Sequence, residues 1–411
     1  MVKLLSKFPY FFIACAPLIA YEQMEEDLLA MDDEDETEQP QEMAAPTPEP
    51  KRTQKKMDLA DSGAQPAPMT NCWGDFCVSA AYLYWVASLD ETGYAFDQLN
   101  AFNAIKPINQ SFTGNPRFSV PKGQTRQLPA IWNSGFRVGI GYLFPSCNWS
   151  INLDWTRYRN ATSRGLYNPN FAPDDVPHVG MLYNLWPNEQ LGVFRAQTIK
   201  ARRDLSYDTL DLKLKNMLFF GRHFQIGPHA GLRGALIDHH FKVRCTANET
   251  LVTVQFPPND FAGGVLQSYD KHRVDFTGIG FRIGADSAFR FSPHFSFYAD
   301  AAYTLFIAHF NQRRVTSLTN FTLDQSYVVT HISDKWQTAR MNVDTAFGFR
   351  WQDELTQNSH IHYKVEIGYE CQWWEGQNEF GRFTTQDFQI YSKTGGDMML
   401  HGFTGSLSFC F

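Results

Sequence analysis

The chain has 411 residues and is 15% aromatic but only 19% charged, with a mean hydropathy of −0.35. No run of about twenty apolar residues follows position 20, which excludes bilayer-spanning helices. The net charge of −7 is unevenly spread: residues 21–70 hold 14 Asp/Glu against 4 Lys/Arg, Lys3 and Lys7 lie in the first twenty, and the remainder is near neutral at +1, with no patch that would suit nucleic acid.

Residues 1–20 read as a secretory signal peptide. Lys3 and Lys7 form a positive start, and Phe8–Ala20 is apolar but too short to span a bilayer. Residues 21–71 are acidic, then Pro- and Gln-rich, and cannot bury enough apolar surface to offset chain entropy. They are expected to be a disordered leader, serving as a solvated spacer or as an anionic plug for a lumen. The third segment, 72–411, behaves differently.

From Val78 onward the apolar residues recur every second position, the period of a half-buried strand. Phe136, Val138, Ile140, Tyr142 and Phe144 share one face opposite Arg137. After the turn formers Pro145–Asn148, Trp149, Ile151, Leu153 and Trp155 resume it opposite Asp154. Leu210, Leu212 and Leu214 alternate with Asp211, Lys213 and Lys215. Phe224, Ile226, Ala230 and Leu232 oppose His229 and Arg233. Ile279, Phe281 and Ile283 oppose Arg282 and Asp286, and Phe297 to Leu305 oppose Asp300. Met341, Val343, Phe347 and Phe349 oppose Arg340, Asp344 and Arg350. Ile361 to Tyr369 oppose Lys364, Glu366 and Glu370.

A soluble sandwich also alternates, but three features point to lipid. The polar face mixes both charge signs with glycine, as a wet lumen does. Large aromatics gather toward strand ends, where membrane interfaces favour them. Short links near 145–148, 221–222, 291–294 and 352–359 alternate with long ones near 89–132, 160–193, 246–270, 312–335 and 375–397. That rhythm predicts an all-β fold: a transmembrane antiparallel β-barrel of about ten to twelve strands in a bacterial outer membrane, with its short turns in the periplasm. The final strand places Phe403, Leu407, Phe409 and Phe411 on one face and ends on an aromatic, the signal that barrel-assembly machinery reads.

The stretch NSGFRVGIGYLFPSCNWSINLDWTRYRNA at residues 133–161 resembles the Legionella-type major outer membrane protein family, also found in environmental chlamydiae. Residues 78–95, 211–238 and 276–287 are similar to the same family, whereas the acidic leader lies outside the likeness. The resemblance implies an abundant porin-like surface barrel and names no solute or catalytic group. The expected function is passive diffusion of small hydrophilic solutes, with no cofactor, no metal and no catalytic residue. The partners are outer-membrane lipid, the assembly machinery, small solutes, and a homo-oligomer or disulfide-linked neighbours. The fourteen charged or polar-face candidates for a pore lining are Arg137, Asp154, Lys213, His229, Arg233, Arg282, Asp286, Asp300, Arg340, Asp344, Arg350, Lys364, Glu366 and Glu370.

Six cysteines follow the signal, an even number in an exported chain. Cys72, Cys77, Cys147 and Cys410 all fall near the periplasmic rim. Cys72 and Cys77 can close a small loop, or rim thiols can link adjacent barrels, the cell-wall-like role that the chlamydial resemblance implies. Cys371 lies on the apolar face. Two rivals to a pore are an adhesive or structural protein acting through its outer loops, and a surface hydrolase using Asp238-His239-His240. The hydrolase needs the fifth strand to end before Asp238, because adjacent strand residues point to opposite faces. His309, too, is placed near the lumen mouth.

Overall fold

A computed structural model describes residues 75–97, 123–145, 148–168, 182–186, 196–249, 264–354, 361–383, 391–393 and 395–411. The predicted signal peptide and leader, Cys72 and Cys147 lie outside the described residues. Ten long strands dominate: β1 (Asp75–Leu89), β2 (Trp132–Leu143), β3 (Trp149–Tyr167), β4 (Thr198–Asn216) and β5 (Phe224–Glu249), then β6 (Gly264–Arg290), β7 (Phe295–Asn320), β8 (Gln325–Glu354), β9 (His362–Asn378) and β10 (Gly396–Cys410). Each pairs antiparallel with the next in sequence. The last pairs with the first, Cys410 opposite Cys77 and Met398 opposite Leu89, so the sheet closes on itself. The expectation of ten to twelve antiparallel strands is met at its lower bound.

Closure removes the two sheet edges that would otherwise expose unpaired backbone to lipid. The outer face explains the alternation. On β6 Phe289, Ile283, Phe281 and Ile279 are 46–60% exposed, while Arg282 between them is 5% exposed. The outward apolar run from Phe289 to Ile279 is eleven residues long, and a tilted strand needs about 9–11 to cross a bilayer. Aromatics rim this belt. At the periplasmic edge Phe76 meets Tyr142 with ring centroids 4.9 Å apart, and at the outer edge Tyr84 stacks on Trp132 at 5.2 Å. A periplasmic turn between β4 and β5 reverses at Gly221, whose φ of 67° suits a residue without Cβ.

The strands run well past this belt, and here the sequence reading needs correction. The long connection expected at 312–335 is a four-residue turn, Phe321–Asp324, between strands of 26 and 30 residues. Likewise β5 continues to Glu249 and β6 begins at Gly264, so much of the loop expected at 246–270 is paired sheet. The cause is a change of solvent along the strand. Above the belt the outside is water, and on β6 the apolar residues move to the inner face with no register shift against either neighbour. On β6 Phe276 and Val274 are buried inside while Lys271 and Arg273 stand outside. Residues from the two long early connections form a separate small sheet of Ala95–Asp97, Gln124–Arg126 and Leu182–Asn184 rather than further barrel strands.

Among the described residues one disulfide is formed, and it joins Cys77 to Cys410 across the closure seam, so Cys77 is not the partner of Cys72. Cys245 is a buried free thiol, and Cys371 is free and half-buried on the outer face.

Candidate functional site in the barrel lumen

All fourteen candidate lining residues project inward, because period two carries them opposite the lipid-facing set. The geometry then sorts them into pairs. Arg137 of β2 donates from both terminal nitrogens to Glu370 of β9 at 2.9 and 2.8 Å, and from Nε to Thr156 at 2.9 Å. Lys213 reaches Asp154 at 2.8 Å, and Lys215 bonds Asp286. Arg350 and Lys364 converge on Glu366 at 2.7 and 3.3 Å, with Ser406 donating to the same carboxylate at 3.0 Å. Arg340 lies higher, bonded to Glu379 and to the Gly376 carbonyl at 3.1 Å.

At mid-height these pairs become a septum. Arg233 of β5 donates to Asp211 at 2.7 Å, to Asn342 at 2.6 Å and to Asp344 at 2.6 Å, and Arg282 bonds Asp344 as well. Arg233 is 3% exposed and Asn342 0%. Just above, the Tyr207 hydroxyl donates to Gln372 at 2.6 Å. Tyr207 is on β4 and Gln372 on β9, five strands apart in a ring of ten, so this contact crosses the full lumen. Below the septum the lining is wetter: the side chains of Arg137 and Lys213 keep 25% and 26% of their surface. There His229, Asp286 and Asp300 bring ligand-type atoms within 4.8 Å of one another, and Lys215 already neutralises Asp286.

Above the septum the lumen is aromatic. Trp374 stacks on Phe306 at 5.2 Å, Phe276 meets Phe310 at 5.1 Å, and Phe310 stacks on Trp336 at 5.2 Å. Higher still, Trp186 and Phe380 enter from the connections after β3 and β9. Trp186 packs on Phe241 at 5.1 Å and donates from Nε1 to the Gly93 carbonyl at 2.7 Å. Sequence reasoning missed this plug. Its signal was present in the inward parity of Phe241, Phe276, Phe306 and Phe310, which sit in phase with the charged lining lower on the same strands.

The proposed Asp–His pair is not formed. The fifth strand continues through these residues, so Asp238 points out and His239 in, with His239 1% exposed beside Phe380. His309 also points outward, not toward the lumen mouth. Neither ring nitrogen of His239 meets a hydrogen-bond partner among the described residues. Burial first, then Arg203 and His240, pushes its pKa down to about 3. The unfolded chain holds that proton at pH values where the fold cannot, so this contribution is intact above about pH 6.5 and drains away as pH falls toward 3. Tryptophan fluorescence of the outer aromatic cluster is expected to shift on acidification in the wild type and to shift less in His239→Phe; equal responses would remove His239 as the cause.

A closed ring of antiparallel strands with a lipid-facing apolar belt, aromatic rims and a charged interior defines a bacterial outer-membrane β-barrel. The family model described as the Legionella pneumophila major outer membrane protein precursor matches residues 68–411, and the chain belongs to that family. Comparison with curated proteins gave no match. Among solved structures, the outer membrane protease OmpT from Escherichia coli is similar at 12% identity and a TM-score of 0.37, covering 85% of this chain and 99% of that one. A major outer membrane protein from Thermus thermophilus is similar at 9% identity and a TM-score of 0.29, covering 82% and 99%. A FadL homologue from Pseudomonas aeruginosa follows at 10% and 0.26, covering 82% and 90%.

Proposed function

We propose that this outer-membrane barrel is a porin-like conduit for small hydrophilic solutes that rests closed, with passage requiring rearrangement of the layer around Tyr207 and Arg233. The observation that supports it most is the two-part lumen: a wet, charged lining of both signs below, and a wall-to-wall contact above. A ten-stranded ring sits near the size at which side chains fill the interior, so a permanently open passage is not the expectation. In this reading the outward Phe403, Leu407, Phe409 and Phe411 guide assembly, and outer-membrane lipid and the assembly machinery are the partners.

Planar-bilayer recording tests it. The wild type should give small, brief steps, and Tyr207→Ala with Trp374→Ala should raise conductance at least about tenfold by removing the wall-to-wall contact and the ring packed on it at 5.8 Å. Steady large steps from the wild type would overturn the closed state. Silence from both proteins, folded and heat-modifiable, would overturn the conduit.

A second reading then takes over, an anchored surface protein acting outside the membrane. It is favoured by the packed aromatic core above the belt, since a simple pore needs no folded outer extension.

A further inference from the structure

The outer surface of β4 to β7 carries cross-strand neighbours of like charge. Arg202 lies opposite Lys242, and Lys200 opposite Arg244. Lys242 lies in turn opposite Lys271, and Arg273 opposite Arg313. All of these side chains face outward, and all but Lys242 are largely exposed. Directly opposed like charges destabilise a sheet, so a run of four such pairs calls for a compensating anion. Acids supply part of it: Asp204 holds Arg202 at 2.9 Å, and Asp275 holds Arg273 at 2.7 Å. Asp204 also lies 3.9 Å from Lys242, and Asp238 stands opposite Asp275. Lys271 and Arg244 flank the Tyr269 ring at 4.6 and 5.0 Å, and Arg313 has no ion pair among the described residues. Seven bases against three acids leave the patch strongly positive.

Position identifies the anion. The unbroken outward apolar belt ends at Leu236, Ile279 and Ile307. His240, Lys242, Arg273 and Arg313 follow four to six residues later, about 10–15 Å higher on a tilted strand, within a long side chain's reach of the headgroup layer, and Lys271 stands about 20 Å higher at its outer margin. Beyond the belt on β9 and β10 the outward residues include the acids Glu375 and Asp397, so the basic face belongs to β4–β7.

We propose that this face binds the phosphate groups of a phosphorylated lipid headgroup in the outer leaflet, with Lys242, Lys271, Arg273 and Arg313 as the principal contacts. The lipid fatty chains lie along the apolar belt below, and the phosphates bridge the like-charged strands above. A soluble anion would gain the second part of this arrangement but not the first.

The test uses the full refolded protein in detergent micelles, with bisphosphorylated lipid A and its dephosphorylated form as probes. Native mass spectrometry or a fluorescence titration then measures retention. The wild type should retain the phosphorylated lipid at least about tenfold better, and retention should fall as NaCl rises from about 50 to 500 mM. Lys242→Gln with Lys271→Gln and Arg273→Gln should lose about tenfold, whereas Lys242→Arg with Lys271→Arg and Arg273→Lys should retain it. Lys271→Gln alone, on an exposed position, serves if the triple variant fails to fold, and should lose at least about threefold. Equal retention of both lipids, salt-independent retention, or unchanged binding by the neutralised variants would overturn the proposal. So would full displacement of the lipid by millimolar inorganic phosphate, which would make the site one for free anions.

Discussion

Arg233→Ala is expected to destabilise the barrel by about 3–5 kcal/mol, the cost of leaving buried carboxylates without their partner. Asp211 and Asp344 both depend on this guanidinium, and the side-chain exposures are 4% for Arg233, 6% for Asp211 and 13% for Asp344. Arg282 also reaches Asp344, so Asp211 loses more than Asp344 does. Urea-dependent unfolding from lipid vesicles, read by the mobility difference between folded and boiled protein, measures the loss. Arg233→Met combined with Asp211→Asn removes one charge of each sign, leaves Asp344 to Arg282, and should recover most of it, because neutral groups of similar shape avoid the desolvation of unpaired ions. A loss below about 1 kcal/mol in Arg233→Ala would mean that water, rather than the protein, solvates these carboxylates.

Cys77→Ser should give the second large effect. The disulfide closes a loop with a sequence separation of 333 residues, for which chain-entropy reasoning gives a stabilisation of about 6 kcal/mol, reduced by any residual structure in the unfolded chain. The boiled, non-reduced wild type should migrate faster than the boiled, reduced form, because a cross-linked unfolded chain is more compact. Cys77→Ser should abolish that difference, lower the unfolding midpoint, and free Cys410 to form covalent dimers. A ladder of multimers from the non-reduced wild type would instead show rim thiols linking neighbouring barrels. The bond sits at the one pair of described barrel strands whose partners are distant in sequence. There it fastens a contact that local hairpin formation cannot favour.

Several features were legible in the residues because one physical rule governs each. Strands facing lipid on one side show every second residue to it, so Ile279, Phe281 and Ile283 gave the face and Arg282 the opposite one. By the same rule the fourteen charged candidates share the opposite, inner face, while their part in a pore belongs to the proposed function. The rule failed above the belt for a definable reason. There Asp275, Arg273 and Lys271 occupy the outward parity, so the apolar alternation that marks a lipid-facing strand stops although the strand does not. Phe276 and Val274 had simply changed face. Asp238-His239-His240 was misread in the same way, as a loop instead of a continuing strand.

By itself, the sequence determined the fold class, the membrane belt, the inward charge set and the aromatic final strand, because each is a matter of local periodicity against a solvent. Which inward charges pair, which cysteines join and whether the lumen is filled were decided only by the tertiary structure. Arg137 and Glu370 are 233 residues apart, and Cys77 and Cys410 are 333 apart. Tyr207 meets Gln372 across the whole lumen. Such contacts follow from strand number, tilt and closure together, and no stretch of neighbouring residues carries that information.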